Sequence, residues 1–204
     1  MSTLPKTASR KFIWIIPILA LAGLAGGLFL NRLFGSALVA NANSLPDYGA
    51  VSDFTLIEKS GSNLSLSDFK GKPWIANFMF TSCASLCPMM NLEVSRLQKS
   101  LPSNIKIVSF SVDPERDNPQ VLSRYAENYQ AEKNRWLFLT GEREVINKVV
   151  QSFHVNTIED PNFHSVRLVL MDGNARIRGY YDSTSKEAIH NLVRDAQILI
   201  HGDH

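Results

Sequence analysis

The 204 residues contain two cysteines, Cys83 and Cys87, in the segment Thr81-Ser82-Cys83-Ala84-Ser85-Leu86-Cys87-Pro88. An apolar run ends just before it at Phe80 and a helical pattern begins near Pro88, so both thiols stand at a strand-to-helix junction. A helix N-terminus carries partial positive charge and unpaired N–H groups, which favour thiolate over thiol, and both positions read as low-pKa, reactive cysteines. The chemistry open to such a pair is thiol–disulfide exchange or metal binding. The plainer alternatives are packing as small apolar groups and a structural bridge, but a bridge across so short a loop restricts the unfolded chain little.

The elements that must position the pair are legible in the hydrophobic pattern. Val51 to Leu56 and Asn63 to Leu66 flank Ser60-Gly61 as a β-hairpin. Trp74 to Phe80 is nearly continuous in apolar residues, the mark of a strand covered on both faces. Leu86, Met90, Val94, Leu97 and Leu101 give one helix face, closed by Pro102, and Ile105 to Val112 is the next strand. Asn118-Pro119 supplies an N-cap and first-turn proline for a helix bearing Val121, Leu122, Tyr125 and Tyr129. Trp136 to Leu139 is a strand, followed by a helix through Val145, Ile146, Val149 and Phe153. Val166 to Met171 and Ala175 to Tyr181 form a hairpin around Asp172-Gly173-Asn174. Thr184 and Glu187 make a capping box for a last helix with Ile189, Leu192, Val193, Ala196 and Ile200 inward. The alternation predicts an α/β fold: a thioredoxin-like mixed sheet flanked by helices, with an N-terminal β-hairpin and an inserted βα unit.

Ahead of this body, Phe12 to Leu30 is a 19-residue stretch without charge, long enough as a helix to cross roughly 30 Å of hydrocarbon. Lys6, Arg10 and Lys11 precede it and Arg32 follows, so the positive-inside bias places the N-terminus in the cytoplasm and the body across the membrane. Ala40-Asn41-Ala42 has the form of a cleavage site, but it lies well past the apolar run, and a retained transmembrane anchor is the expectation over a cleaved leader. The expected organisation is a cytoplasmic end over 1–11, the anchor over 12–30, a linker over 31–50 and a folded domain over 51–204. The 161 residues from Ser44 onward hold 17 basic against 19 acidic side chains, which removes the compositional case for nucleic-acid binding. A body of that size can bury a core without a disulfide, which leaves both cysteines free for chemistry.

C-x-x-x-C is wider than the C-x-x-C of thioredoxins, and two thiolates converging on one ion make a soft site suited to Cu(I). An imidazole would complete a trigonal set able to hold Cu(II) as well. Of the five histidines, His201 and His204 lie in the tail, His190 within the last helix and His154 just after the preceding one, all with surface or core readings. His164 lies in Asp160-Pro161-Asn162-Phe163-His164-Ser165, before the Val166 strand, where a thioredoxin-like chain brings a loop opposite its active cysteines. Topology alone leaves His164 open between ligand and loop residue. Asp113, Glu115, Arg116 and Asp117 form a charged loop at the end of the Ile105 strand, read as a salt-bridged turn or a docking surface.

Taken together these segments resemble the Sco/SenC family of membrane-anchored, thioredoxin-like copper proteins that assist cytochrome c oxidase assembly. The likeness is carried by Asp53-Phe54-Thr55-Leu56, Leu66 to Pro73, Asn77 to Cys83 with Cys87-Pro88-Met89, Ser111-Val112-Asp113-Pro114-Glu115-Arg116-Asp117, Trp136 to Gly141, and His164-Ser165 leading to Arg178-Gly179-Tyr180-Tyr181-Asp182. It implies Cys83, Cys87 and His164 as ligands of copper, Cu(I) or Cu(II). It also implies a chaperone that serves the binuclear copper site of cytochrome c oxidase subunit II, with other copper chaperones or a thiol reductant as further partners. The implied location is the bacterial inner membrane, with the C-terminal domain periplasmic. The alternative is a thiol–disulfide oxidoreductase in which Cys83 attacks and Cys87 resolves, keeping partner cysteines reduced. A peroxidase of the T-x-x-C type fits less well, because Phe80 stands where the threonine belongs.

Overall fold

The computed structural model describes residues 45–155 and 166–202. The predicted anchor, most of the linker and His164 lie outside the described residues. Among the described residues no helix is long and apolar enough to cross a membrane.

The strands are β1 (Thr55–Glu58), β2 (Asn63–Ser65), β3 (Trp74–Met79), β4 (Lys106–Ser111), β5 (Trp136–Thr140), β6 (Arg167–Met171) and β7 (Ile177–Asp182); the α-helices are α1 (Leu86–Ser100), α2 (Pro119–Asn128), α3 (Arg143–Ser152) and α4 (Lys186–Gly202). The strands form one seven-stranded sheet in the order β2-β1-β5-β4-β3-β6-β7. β3, β4 and β5 run parallel, while β1 joins β5, and β6 joins β3, in the antiparallel sense. This is the mixed sheet that the alternation predicts: parallel neighbours are linked through α1 and α2, and hairpins join β1 to β2 and β6 to β7 at its edges.

Both faces of the sheet are covered, and the alternation of side chains along each strand sorts the core in two. Trp74, Ala76 and Phe78 of β3 join Val108, Phe110, Leu137 and Leu139 under α3, whose Ile146, Val149 and Val150 face them. Ile75 and Met79 of β3 join Ile107, Trp136 and Phe138 on the other face, under Met90, Val94 and Leu97 of α1, Leu122 of α2 and Leu192 and Ala196 of α4. Both cysteines belong to this second face. On the first face Phe110 stacks on Phe78 with centroids 5.4 Å apart and meets Phe54 edge-on at 5.4 Å.

Local chemistry explains the element ends. Asn118 accepts the N–H of Val121 at 3.0 Å, with Pro119 as the first residue of α2. The expected Thr184/Glu187 capping box does not form. Thr184 instead donates its N–H and hydroxyl to Asp182, and Ser185, one residue later, accepts the Ala188 N–H at 3.2 Å. A short hydroxyl side chain serves equally at either position, and the Asp182 turn at the end of β7 takes Thr184 first. Residues 45–51 run beside β7, where Tyr48 N–H donates to Ile177 O at 2.9 Å and Ile177 N–H to Gly49 O at 2.8 Å, so that edge of the sheet is partly covered.

Truncating Phe110 to alanine empties the middle of the aromatic layer and should lower the unfolding free energy by about 3–5 kcal/mol. Leu92→Ala, at an exposed position of α1, should stay within about 0.5 kcal/mol. Urea unfolding of the two variants measures the contrast, and equal losses would contradict the two-layer core.

Candidate metal centre

β3 is buried along its length and ends at Met79. The chain then turns through Phe80, Thr81 and Ser82 into Cys83, whose N–H donates back to Phe80 O at 3.2 Å. α1 starts at Leu86, so Cys87 sits inside its first turn and Cys83 just ahead of it. Both side chains are buried and both are free thiols.

The N-terminus of α1 lacks ordinary capping. Ser85 stands at the cap but its side chain caps no helix N–H, and the first turn has no acidic residue. The acceptor there is sulfur: Cys87 N–H donates to Cys83 Sγ at 3.5 Å. A sulfur that receives helix N–H groups is stabilised as the anion, which is the logic of any acceptor at an N-terminus.

This geometry splits the pair. Burial pushes the Cys83 thiol up, but hydrogen bonds from the Cys87 thiol and from the N–H groups of Ser85 and Cys87 outweigh it, and the net shift is below the usual thiol value. Burial pushes Cys87 up to about 12, and the hydrogen bond it gives Cys83 adds to the rise. The expectation of two low-pKa cysteines is therefore corrected. Cys83 sits where the helix N–H groups converge, whereas Cys87 lies inside the first turn with its thiol against the core, and there desolvation dominates. The two sulfurs are coupled through that hydrogen bond, Cys83 holding negative charge more readily and Cys87 the proton.

The structure brings Cys83 and Cys87 together. His164 lies outside the described residues, and among the described residues no three of His, Cys, Asp and Glu form a group able to hold a metal. The antiparallel register of β6 on β3 carries the start of β6 toward the C-terminal end of β3, so Val166 enters the sheet at the end where the cysteines lie. His154, His190 and His201 are exposed, in keeping with their plain readings, and the ring of His201 bonds to Gln197 O.

The charged loop divides. Arg116 pairs with Asp113 at 3.4 Å and Glu115 pairs with Arg143, as a salt-bridged turn should. Asp117 is different: it is fully buried and accepts hydrogen bonds from Thr81 and Ser111. Sequence reasoning missed it because nothing in the spacing separates one aspartate of this run from the others. Next to Cys87, Met89 and Leu92 expose more than half of their surface and line a groove of about 300 Å³ with Ser183, Thr184, Lys186 and Ile189.

A mixed α/β sheet with helices on both faces, carrying two adjacent free thiols at the junction of a central strand and the helix after it, defines a thioredoxin-like thiol domain. The SCO1/SenC family profile matches residues 43–197, and the chain belongs to that family. It is 32% identical over 156 residues to the SCO1 protein homolog of Bacillus subtilis, covering 72% of this chain and 81% of that protein. Among solved structures it is similar to BsSco, in which a disulfide switch has been identified and which is a member of the Sco family of cytochrome c oxidase assembly proteins (TM-score 0.68, 28% identity, 76% of this chain and 97% of that one). It is also similar to Bradyrhizobium japonicum ScoI with copper bound (TM-score 0.60, 25% identity, 71% of this chain and 98% of that one).

The split between the thiols is open to direct measurement. Brief treatment of the metal-free, reduced protein with iodoacetamide near neutral pH should label Cys83 well ahead of Cys87, as read by peptide mapping, because the thiolate is the nucleophile. Faster labelling of Cys87 would reverse the assignment.

Proposed function

We propose that this protein is a membrane-anchored copper chaperone that takes up copper through Cys83, Cys87 and His164 and serves assembly of the binuclear copper site of cytochrome c oxidase subunit II. The observation that carries the reading is the pair of adjacent free thiols at the mouth of α1, bonded through Cys87 N–H to Cys83 Sγ. Two soft sulfurs on one turn fit a copper ion, and a third, imidazole donor gives the set that accommodates both oxidation states. Membership of the SCO1/SenC family and the copper-bound ScoI relative support copper as the cargo, and the oxidase assembly role of BsSco supports the client. The apolar stretch over 12–30 would hold the domain on the periplasmic side of the bacterial inner membrane, with the N-terminus in the cytoplasm.

A second reading is favoured by the asymmetry of the pair. A readily ionised Cys83 beside a proton-retaining Cys87 is the arrangement of an attacking and a resolving thiol, and it would suit an oxidoreductase that keeps partner cysteines reduced. The two readings differ in their need for His164. Titrating the reduced protein with Cu(I) and Cu(II) should give tight binding of both ions. Cys83→Ala and Cys87→Ala should lose most of it, and His164→Ala should weaken Cu(II) most. If His164→Ala binds both ions as tightly as the wild type, the three-ligand site is wrong. If the wild type binds neither ion yet reduces disulfides with turnover, the oxidoreductase reading stands.

Copper must displace the proton that Cys87 retains, so the Cys87 contribution to affinity grows with pH throughout the range below about 12. The apparent log K for Cu(I) should rise by about one unit per pH unit from this thiol between pH 6 and 8. Competition titrations at three pH values check the slope, and an affinity flat with pH would show that Cys87 does not ligate as the thiolate.

A further inference from the structure

We infer that Asp117 is the positioning residue of the thiol loop: its buried carboxylate latches Thr81 to Ser111 and so sets the place from which Cys83 meets Cys87 and copper. The inference deepens the copper-thiol reading above and rests on it for the metal, but not for the latch itself.

Asp117 has no exposed surface. Its Oδ2 accepts Thr81 N–H at 3.0 Å and the Ser111 hydroxyl at 2.6 Å, and its Oδ1 accepts the Thr81 hydroxyl at 2.5 Å. Ser111 Oγ is itself oriented by the Asp113 N–H at 3.2 Å, and Asp117 N–H donates to Asp113 O at 2.9 Å. One carboxylate thus joins the end of β4 to the first turn after β3, two residues before Cys83. From there the connection to the sulfur is short: Cys83 N–H returns to Phe80 O, and Cys83 Sγ receives Cys87 N–H. Among the described residues, besides the Cys87 thiol at the site itself, the other side chain from outside the loop that bonds to residues 80–85 is exposed Arg116, which reaches Ser82 Oγ only at 3.5 Å.

Stability alone does not account for this arrangement. Arg116 pairs with Asp113, and no ion pair to Asp117 occurs among the described residues. A carboxylate taken out of water and held by hydrogen bonds alone is costly, and a well-packed apolar residue is often no worse for folding. What an apolar residue lacks is the ability to fix Thr81 by its backbone and its hydroxyl at once. Outer residues that orient ligands in this way typically change metal affinity by about 10- to 100-fold when removed.

The test compares Asp117→Ala, Asp117→Asn and Thr81→Val in the full-length protein. Two quantities are read: the midpoint potential of the Cys83–Cys87 couple in glutathione buffers without metal, and the thiolate-to-Cu(II) charge-transfer spectrum with the affinity for Cu(II). Asp117→Ala should shift the potential, alter the charge-transfer band and weaken Cu(II) by about 10- to 100-fold. Asn in place of Asp117 keeps an oxygen for Thr81 N–H and can donate to the Thr81 hydroxyl, so Asp117→Asn should restore most of both. Thr81→Val removes one hydrogen bond and should cost about 2- to 10-fold in affinity. It keeps the inference testable if Asp117→Ala fails to fold. An Asp117→Ala protein that folds and matches wild type in both quantities overturns the latch, as does an Asn variant no better than Ala, or a folded Thr81→Val variant unchanged in both. If wild type binds no copper, the chaperone reading fails, while the metal-free potentials still decide the latch.

Discussion

A strand covered on both faces has one place left for chemistry, its end, and β3 is such a strand. It is buried from Trp74 to Met79, with β4 on one side, β6 on the other and helices above and below. A strand so enclosed cannot slip in register without turning Trp74 and Phe78 into the wrong layer and Ile75 and Met79 into the other. The exit point of the chain at Phe80 is therefore fixed by the whole core, and so is the start of the loop that carries the thiols. The same enclosure gathers β4's end, with Ser111 and Asp117, and the N-terminal end of β6 around that exit.

The electrostatic character of the site follows from where the loop meets α1. A helix that begins with neither an acidic residue in its first turn nor a side-chain cap leaves its N–H groups for whatever acceptor comes next. Here that acceptor is Cys83 Sγ, and the result is a pair of chemically identical side chains with opposite shifts. One residue's place along the chain decides which thiol is which: ahead of the first turn, a sulfur faces converging donors; inside the first turn, it faces the apolar second layer of the core.

Much of this was legible in the residues. The strand at Trp74 to Phe80, the α2 cap at Asn118-Pro119 and the last hairpin at Asp172 follow from periodicity and turn chemistry, which are local properties. The junction location of Cys83 and Cys87 follows from the same patterns. The difference between the two thiols was not legible, because it depends on a start of α1 two residues earlier than Pro88 and on what covers each sulfur. Asp117 was hidden for a related reason: Ser111 lies in its own segment, but its other partner Thr81 lies at the end of another strand, and only the parallel pairing of β3 with β4 brings Thr81 to it. The Thr184/Glu187 box failed because Asp182 competed for Thr184, a contest between two local motifs that sequence spacing alone does not resolve.

The buried setting and the unequal thiols bear on how such a site could release what it holds. A metal bound by two low-pKa thiolates meets little competition from protons near neutrality and is hard to displace. At this site one sulfur is stabilised as the anion by helix N–H groups, while the other regains a proton easily because burial disfavours its charge. Were a metal held by both sulfurs, its loss would begin at Cys87, whose charge burial disfavours, while Cys83 kept its hold. The same inequality disfavours two fixed charges in the core, since burial disfavours the charged form of Cys87. Transfer and thiol exchange thus draw on one property, and the imidazole of His164 is the feature that would separate a carrier of copper from a carrier of electrons alone.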